Sequence, residues 1–249
     1  MTASSSSQPS AAAFPQRAEP QAVDSQWASL YKAGGVAAVM AAVLIPVQVL
    51  VFIVWPPPST VATWFELLQT NPLIGLINLD LLLVVDNLLL VPIYLALYLA
   101  LRRSSEATMA IATVLGLLGI AMMIASNPAF AMLVLSHRYA AAASDGVWSM
   151  ALGAGQVMLA TWEGTAFQVA YFLGATVGIV ISIVMLQSST FGRSTAYLGL
   201  LGNAVAFGYY VPVVGLYLSV FSVLFLEIWY ILLARGFFQL GGGSLTQSA

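Results

Sequence analysis

The chain has 249 residues, of which 61% are hydrophobic and only 6% are charged, and its mean hydropathy is +0.96. A water-soluble domain carries about 25% charged residues, so this composition excludes a soluble globule and predicts a multi-span membrane protein with the lipid bilayer as its main partner. The net charge of −2 comes with no basic patch, which excludes an electrostatic basis for nucleic-acid binding.

The residue inventory excludes several kinds of chemistry. Cysteine is absent, which rules out disulfides, thiolate metal sites and cysteine nucleophiles. His137 is the only histidine and Lys32 the only lysine, so multi-histidine metal sites and a buried retinal-type Schiff base cannot form within one chain. We therefore expect no cofactor, no metal site and no enzymatic activity.

The ends of the chain differ from its middle. Residues 1–28 are rich in Ser, Ala, Gln and Pro, a composition typical of a disordered tail. We predict a transmembrane domain over residues 29–238 and a flexible tail over 239–249. The first apolar run is too long for a signal peptide and is followed by prolines, so we expect it to stay attached.

The first predicted span is Gly34–Trp55, close to the ~20 residues that a bilayer requires. Prolines at positions 56–58 end it, because they lack amide donors and favour extended backbone. The next segment, Thr60–Gln69, carries Trp64 and Phe65, and its aromatic side chains predict a short helix at the membrane interface.

The second predicted span, Leu73–Leu101, is unusual because it carries Asp80 and Asp86 in an otherwise apolar run. Each charged carboxylate costs on the order of 2.5–3.5 kcal/mol at the centre of a membrane helix. A proton, a bound cation, a polar cavity or a hydrogen-bonding partner is needed to offset that cost. Pro92 predicts a bend in the same span.

The third predicted span runs from Ala107 to Leu135, with a kink at Asn127 and Pro128. The following section, Ser136–Trp162, is only moderately apolar. It predicts an external loop with a surface or re-entrant helix over Trp148–Leu159.

Three further spans complete the predicted bundle: Gly164–Gln187, Thr195–Tyr210 and Gly215–Ala234. Pro212 separates the last two. The fourth span carries small residues at every fourth position, including Gly174 and Gly178, a pattern that predicts close helix packing. The pattern leaves open whether that contact lies inside one bundle or between the chains of a homo-oligomer.

The basic residues predict the orientation. With six spans, six of the seven basic residues lie on one side of the membrane and Arg138 lies on the other. The six are Arg17, Lys32, Arg102, Arg103, Arg193 and Arg235. Because cytoplasmic loops are enriched in Lys and Arg, we predict an all-α bundle of six spans in the cell inner (plasma) membrane, with both termini cytoplasmic.

Polar side chains within the spans are the candidate functional residues. Asp80, Asn87 and Tyr94 share one face of a continuous helix, while Asp86 points about 120° away. Glu227 lies at a similar depth in the sixth span. The spans contain no lysine or arginine to pair with these acids, so we predict an intramembrane polar site formed by Asp80, Asp86, Asn87, Tyr94 and Glu227.

Two functions follow from that site. The first is small-solute or ion passage, in which the carboxylates bind protons, sodium or a small solute. The alternative is a non-catalytic membrane sensor, scaffold or lipid-binding module, in which the acids only make hydrogen bonds between helices. The sequence leaves both open, and no nucleotide, hydrolase or zincin motif adds a third.

Several segments resemble a known family of uncharacterised bacterial integral membrane proteins with six spans, formally a domain of unknown function. The similar segments include VFIVWPPPST (51–60), NPLIGLINLDLLLVVDNLLL (71–90), YLALYLALRR (94–103), ASNPAF (125–130), ATWEGTAF (160–167) and TAYLGLLGN (195–203). The resemblance extends from about Trp27 to Leu240. It implies a six-span architecture and assigns no activity, cofactor or catalytic residue.

Overall fold

The computed structural model describes residues 26–242 of the chain. Helices make up most of this region and no strand occurs within it. The predicted N-terminal tail lies almost wholly outside the described residues. At the other end, the last helix continues to Gly241, so residues 239–241 of the predicted C-terminal tail are helical, Gly242 forms a turn, and residues 243–249 lie outside the described residues.

The helices follow one another with short connections: α1 (Ala28–Val54), α2 (Val61–Thr70), α3 (Pro72–Asn78), α4 (Leu81–Leu101), α5 (Glu106–Ser126), α6 (Ala129–Ala140), α7 (Asp145–Trp162), α8 (Thr165–Leu186), α9 (Arg193–Ala206), a 3₁₀ turn (Phe207–Tyr210) and α10 (Gly215–Gly241).

Five segments of the described region are long and apolar enough to cross a membrane. They are Ala28–Val54, Leu81–Leu101, Glu106–Ala140, Asp145–Leu186 and Gly215–Gly241. The chain is therefore an all-helical protein of the kind that crosses membranes several times. The predicted fifth span corresponds to α9 and the 3₁₀ turn, and α9 alone has only 14 residues.

Six helices form a closed ring, in which each packs against two neighbours in the order α1, α4, α5, α8, α9, α10 and back to α1. Their buried side chains form one apolar core. Gly34 allows α1 to approach two neighbours at once, because a Cβ there would lie 2.8 Å from the Ala96 Cβ of α4 and 3.4 Å from the Phe237 ring of α10.

A second layer covers one end of this ring. Helices α2, α6 and α7 pack together around a separate apolar core that includes Trp64, Phe65 and Met132. The Thr60 side chain caps α2 by accepting a hydrogen bond from the Thr63 amide. The predicted interfacial helix is thus confirmed as a helix, but its aromatic face packs against protein, with Trp64 only 2% exposed.

Two expectations about the middle of the chain need correction. The helix predicted over Trp148–Leu159 is confirmed and lies within α7, but the rest of Ser136–Trp162 is mostly helical rather than a loop, because α6 continues to Ala140 and α7 occupies all of Asp145–Trp162. The predicted continuous second span is interrupted after Asn78, where α3 ends and α4 begins at Leu81. The interruption expected at Asn127 and Pro128 is confirmed, since α5 ends just before it and α6 begins just after.

Candidate intramembrane polar site

The break between α3 and α4 is stabilised by side chains from two other helix ends. Asp80 has φ 61°, a left-handed conformation that is uncommon outside glycine. The Asn127 Nδ2 atom donates a hydrogen bond to the Leu79 carbonyl at 2.7 Å, and the Trp162 Nε1 atom donates one to Asp80 Oδ2 at 3.1 Å. The α3–α4, α5–α6 and α7–α8 interruptions therefore meet at one level of the fold.

A small cavity of about 10 Å³ lies beside Asp80 at this level. Its lining includes the polar side chains of Ser126, Asn127 and Trp162. A space of that size accommodates roughly one water molecule when polar partners surround it. Asp80 is half-buried, so this carboxylate lies between the ring core and the second layer with room for one small ligand.

The core of the ring contains a second acidic group. Asp86 on α4 is only 4% exposed, and its Oδ1 atom is buried without a hydrogen-bond partner. Glu227 on α10 is half-buried and has a buried Oε1 atom that is also unpartnered. The two carboxylates interact electrostatically although α1 lies between α4 and α10 in the ring. Each acid therefore has a carboxylate oxygen buried inside the protein.

Two tyrosines complete this cluster. Tyr94 and Tyr230 are buried, at 7% and 8% exposure, and both interact electrostatically with Asp86. Tyr94 fills the space beside α5, where a Cβ on Gly116 would lie 2.6 Å from its ring. We use the name acid cluster for Asp86, Tyr94, Glu227 and Tyr230.

The structure separates the predicted site residues into two groups. Asp86, Tyr94 and Glu227 come together in the acid cluster, whereas Asp80 is bonded to Trp162 at the helix break. Asn87 is buried but its amide donates to the Leu83 carbonyl of its own helix at 2.9 Å.

The two glycines of the predicted packing stripe also differ. A Cβ on Gly178 would overlap the Asn203 carboxamide of α9, whereas a Cβ on Gly174 would have no atom within 4 Å. Gly178 therefore lies at a close contact inside the bundle. No helix packs closely against the Cα of Gly174 in the direction of a side chain.

Other members of the site were not identified from the sequence. Tyr230 lies three residues after Glu227, on the same helix face, so helical spacing was a usable signal. Trp162 and Asn127 reach their partners across 82 and 48 residues, a pairing that a single sequence does not reveal. Asn78 has both side-chain polar atoms buried and unpartnered, which only the three-dimensional structure shows.

The acid cluster offers only oxygen atoms to a ligand, from two carboxylates and two phenols. Oxygen atoms are the donors that protons and hard cations prefer. Among residues 26–242, no group of three or more His, Asp or Glu side chains that could hold a metal ion occurs.

The comparisons with known proteins give no relative from which to assign a role. No family model matches the chain, and neither a curated protein nor a solved structure is significantly similar to it. The resemblance to a six-span bacterial family therefore stays a prediction.

Proposed function

We propose that the chain mediates small-solute or ion passage across the plasma membrane and that the acid cluster binds a proton or sodium ion during that passage. The observation that carries the proposal is a pair of carboxylates, Asp86 and Glu227, that lie close enough to interact electrostatically and that each have a buried oxygen without a hydrogen-bond partner. Groups of this kind are costly in a membrane and are typical of ion and proton pathways. A bound cation supplies the missing partner.

Asp80 suggests how an ion reaches the cluster. It precedes Asp86 by six residues, which corresponds to roughly 9 Å along a helix, and it borders the one-water cavity at the helix break. Interrupted helices supply ion sites in several transporter folds because their free backbone groups and side chains meet inside the protein. In this proposal Asp80 lies on the path and the acid cluster is the binding site.

Six spans with cytoplasmic ends are part of the same proposal. Helix α9 and the following 3₁₀ turn together measure about 29 Å, close to the hydrocarbon thickness of ~30 Å. Helix α9 also packs between α8 and α10 as a full member of the ring. We therefore count this segment as a membrane span, which brings the five long apolar segments to a total of six spans.

The alternative function, a sensor, scaffold or lipid-binding module, is favoured by one observation. The Asp80 carboxylate accepts a hydrogen bond from Trp162 of another helix. A hydrogen bond of this kind is expected of an acid whose role is to hold two helices together. The alternative therefore applies to Asp80 more readily than to Asp86 or Glu227, whose buried oxygens lack such donors.

Thermal unfolding of the purified protein distinguishes the two functions. A bound ion stabilises the folded state by mass action, so we expect sodium chloride, compared with choline chloride, or a change of pH to shift the melting temperature of the parent. Asp86→Asn and Glu227→Gln should remove the shift. The exposed Asp145→Asn variant is the matched control and should retain it.

A flux measurement completes the test. Parent protein in liposomes should carry sodium or protons down an imposed gradient, and the two amide variants should not. If the amide variants match the parent in both melting response and flux, the acids only make helix contacts and the proposed function is wrong.

A further inference from the structure

The second layer contains an open apolar groove between α6 and α7. Its volume is about 620 Å³, within the range of about 300–1,000 Å³ typical of small-molecule sites. The lining is almost wholly apolar and consists of Phe130, Ala131, Val134, Leu135, Ala154, Val157 and Met158, with Arg138 as the only charged member. Phe130 and Val157 are 63% and 59% exposed, so no part of the described chain covers the groove.

Arg138 lies at one end of this groove. Phe130, Val134 and Arg138 follow at intervals of four residues along one face of α6, and Phe130 is nearest the helix break. The distance along the helix from Phe130 to Arg138 is roughly 12 Å, comparable with one ~15 Å leaflet of the hydrocarbon core. The apolar lining therefore extends from the break toward a single basic group.

The Arg138 guanidinium has no acceptor within the described residues. It forms no ion pair with Asp145 at the start of α7 or with Glu163 at its end, and no hydrogen bond of its side chain occurs. Its place in the last turn of α6 gives a favourable interaction with the helix dipole. That interaction still leaves its five N–H donors available to an anion.

We propose that this groove binds one anionic phospholipid of the outer leaflet, with an acyl chain along the apolar lining and the headgroup phosphate on Arg138. The commitment to an anionic lipid follows from charge complementarity, because a guanidinium binds phosphate through paired hydrogen bonds. This site is separate from the acid cluster, and the proposal does not depend on ion passage.

Native mass spectrometry of the full chain in detergent tests the proposal. After titration with phosphatidylglycerol or phosphatidylcholine of identical chains, we expect one phosphatidylglycerol molecule to remain bound preferentially. Arg138→Gln should weaken its binding about tenfold and leave phosphatidylcholine binding unchanged. Arg138 is exposed, so this variant should fold normally.

A second variant tests the apolar part of the site. Ala154→Phe places a bulky ring in the groove and should displace the lipid, while Gly153→Ala, whose added Cβ meets no atom within 4 Å, is the matched control. Equal binding of both lipids to the parent would overturn the proposal, and so would unchanged binding to Arg138→Gln and Ala154→Phe. A change of oligomeric state in Ala154→Phe would indicate that a second copy of the chain occupies the groove instead.

Discussion

Asp80 combines an unfavourable backbone conformation with a tertiary hydrogen bond. A left-handed residue other than glycine costs on the order of 1–3 kcal/mol, and such residues cluster at functional sites. Asp and Asn tolerate this region better than other residues because their short polar side chains bond locally. The break between α3 and α4 should therefore form with asparagine at position 80 as well as with the natural aspartate.

We expect Asp80→Asn to unfold close to the parent temperature and Asp80→Leu to lose about 2 kcal/mol of stability. Asparagine keeps both the left-handed preference and an acceptor for Trp162, whereas leucine loses both. Thermal unfolding in detergent measures the difference. Trp162→Phe is the complementary variant, and the expectation is wrong if Asp80→Leu melts with the parent.

Two members of the acid cluster, Asp86 and Glu227, could be predicted from the sequence, but their proximity could not. Asp86 and Glu227 were identified because an acid in an apolar run is visible in any sequence. Their placement close to each other depends on the order in which the six helices pack around the ring, and helical periodicity within one span carries no information about that order. The unpartnered Oδ1 and Oε1 atoms are likewise a property of the packed structure.

Helix locations were well predicted where apolar length or proline determines them. The prolines at 56–58, Pro128 and Pro212 all lie at helix boundaries, because proline removes an amide donor and disfavours continued helix. The Leu79–Asp80 break was missed because nothing in its composition disfavours helix, and it exists through tertiary bonds from Asn127 and Trp162.

The packing of the second layer was missed for a related reason, although a helix was predicted over Trp148–Leu159. Ser136–Trp162 has intermediate hydropathy, which is typical of surface segments, yet α7 docks on α2 through small residues. Ala151 is buried, and a Cβ on Gly155 would overlap Val61 and approach the Phe65 ring to 2.8 Å. Docking through alanine and glycine buries little side-chain area and leaves only a weak apolar periodicity in the sequence.

Packing between α8 and α9 provides a matched pair of glycine variants. Gly178→Ala should lose about 1–3 kcal/mol, because the new methyl group overlaps the buried Asn203 carboxamide. Gly174→Ala has open space around its Cβ and should be neutral or stabilising by about 0.5–1 kcal/mol, since alanine favours helix over glycine. Thermal unfolding of the two proteins in the same detergent measures the difference; equal destabilisation would contradict the assigned packing.

At the scale of the whole molecule, the basic residues of the described region other than Arg138 collect at one end of the ring. The start of α1 and the end of α10 lie together, since a Cβ on Gly241 would be 3.0 Å from the Lys32 side chain. The Thr190 hydroxyl donates a hydrogen bond to the Ala100 carbonyl at 3.4 Å. This bond brings the segment that leads to Arg193 close to the end of α4, where Arg102 lies. This clustering supports the proposed orientation, because the cytoplasmic end of a membrane protein is the basic one.

The absence of cysteine allows the topology to be measured without background labelling. We expect Ser104→Cys and Gly242→Cys to react with a membrane-impermeant maleimide only from the cytoplasmic side. Ser59→Cys and Ser144→Cys should react only from the opposite side, and all these positions are exposed.

Val213→Cys decides between six spans and five. Val213 is 94% exposed in the turn between the 3₁₀ segment and α10. If α9 and the 3₁₀ turn cross the membrane, this residue lies on the outer side and Gly242 returns to the cytoplasm. If that segment only lies against the inner surface, Val213→Cys reacts from the cytoplasm and Gly242→Cys from outside. The second result would place the two ends of the helical domain on opposite sides of the membrane and would reduce the number of spans to five.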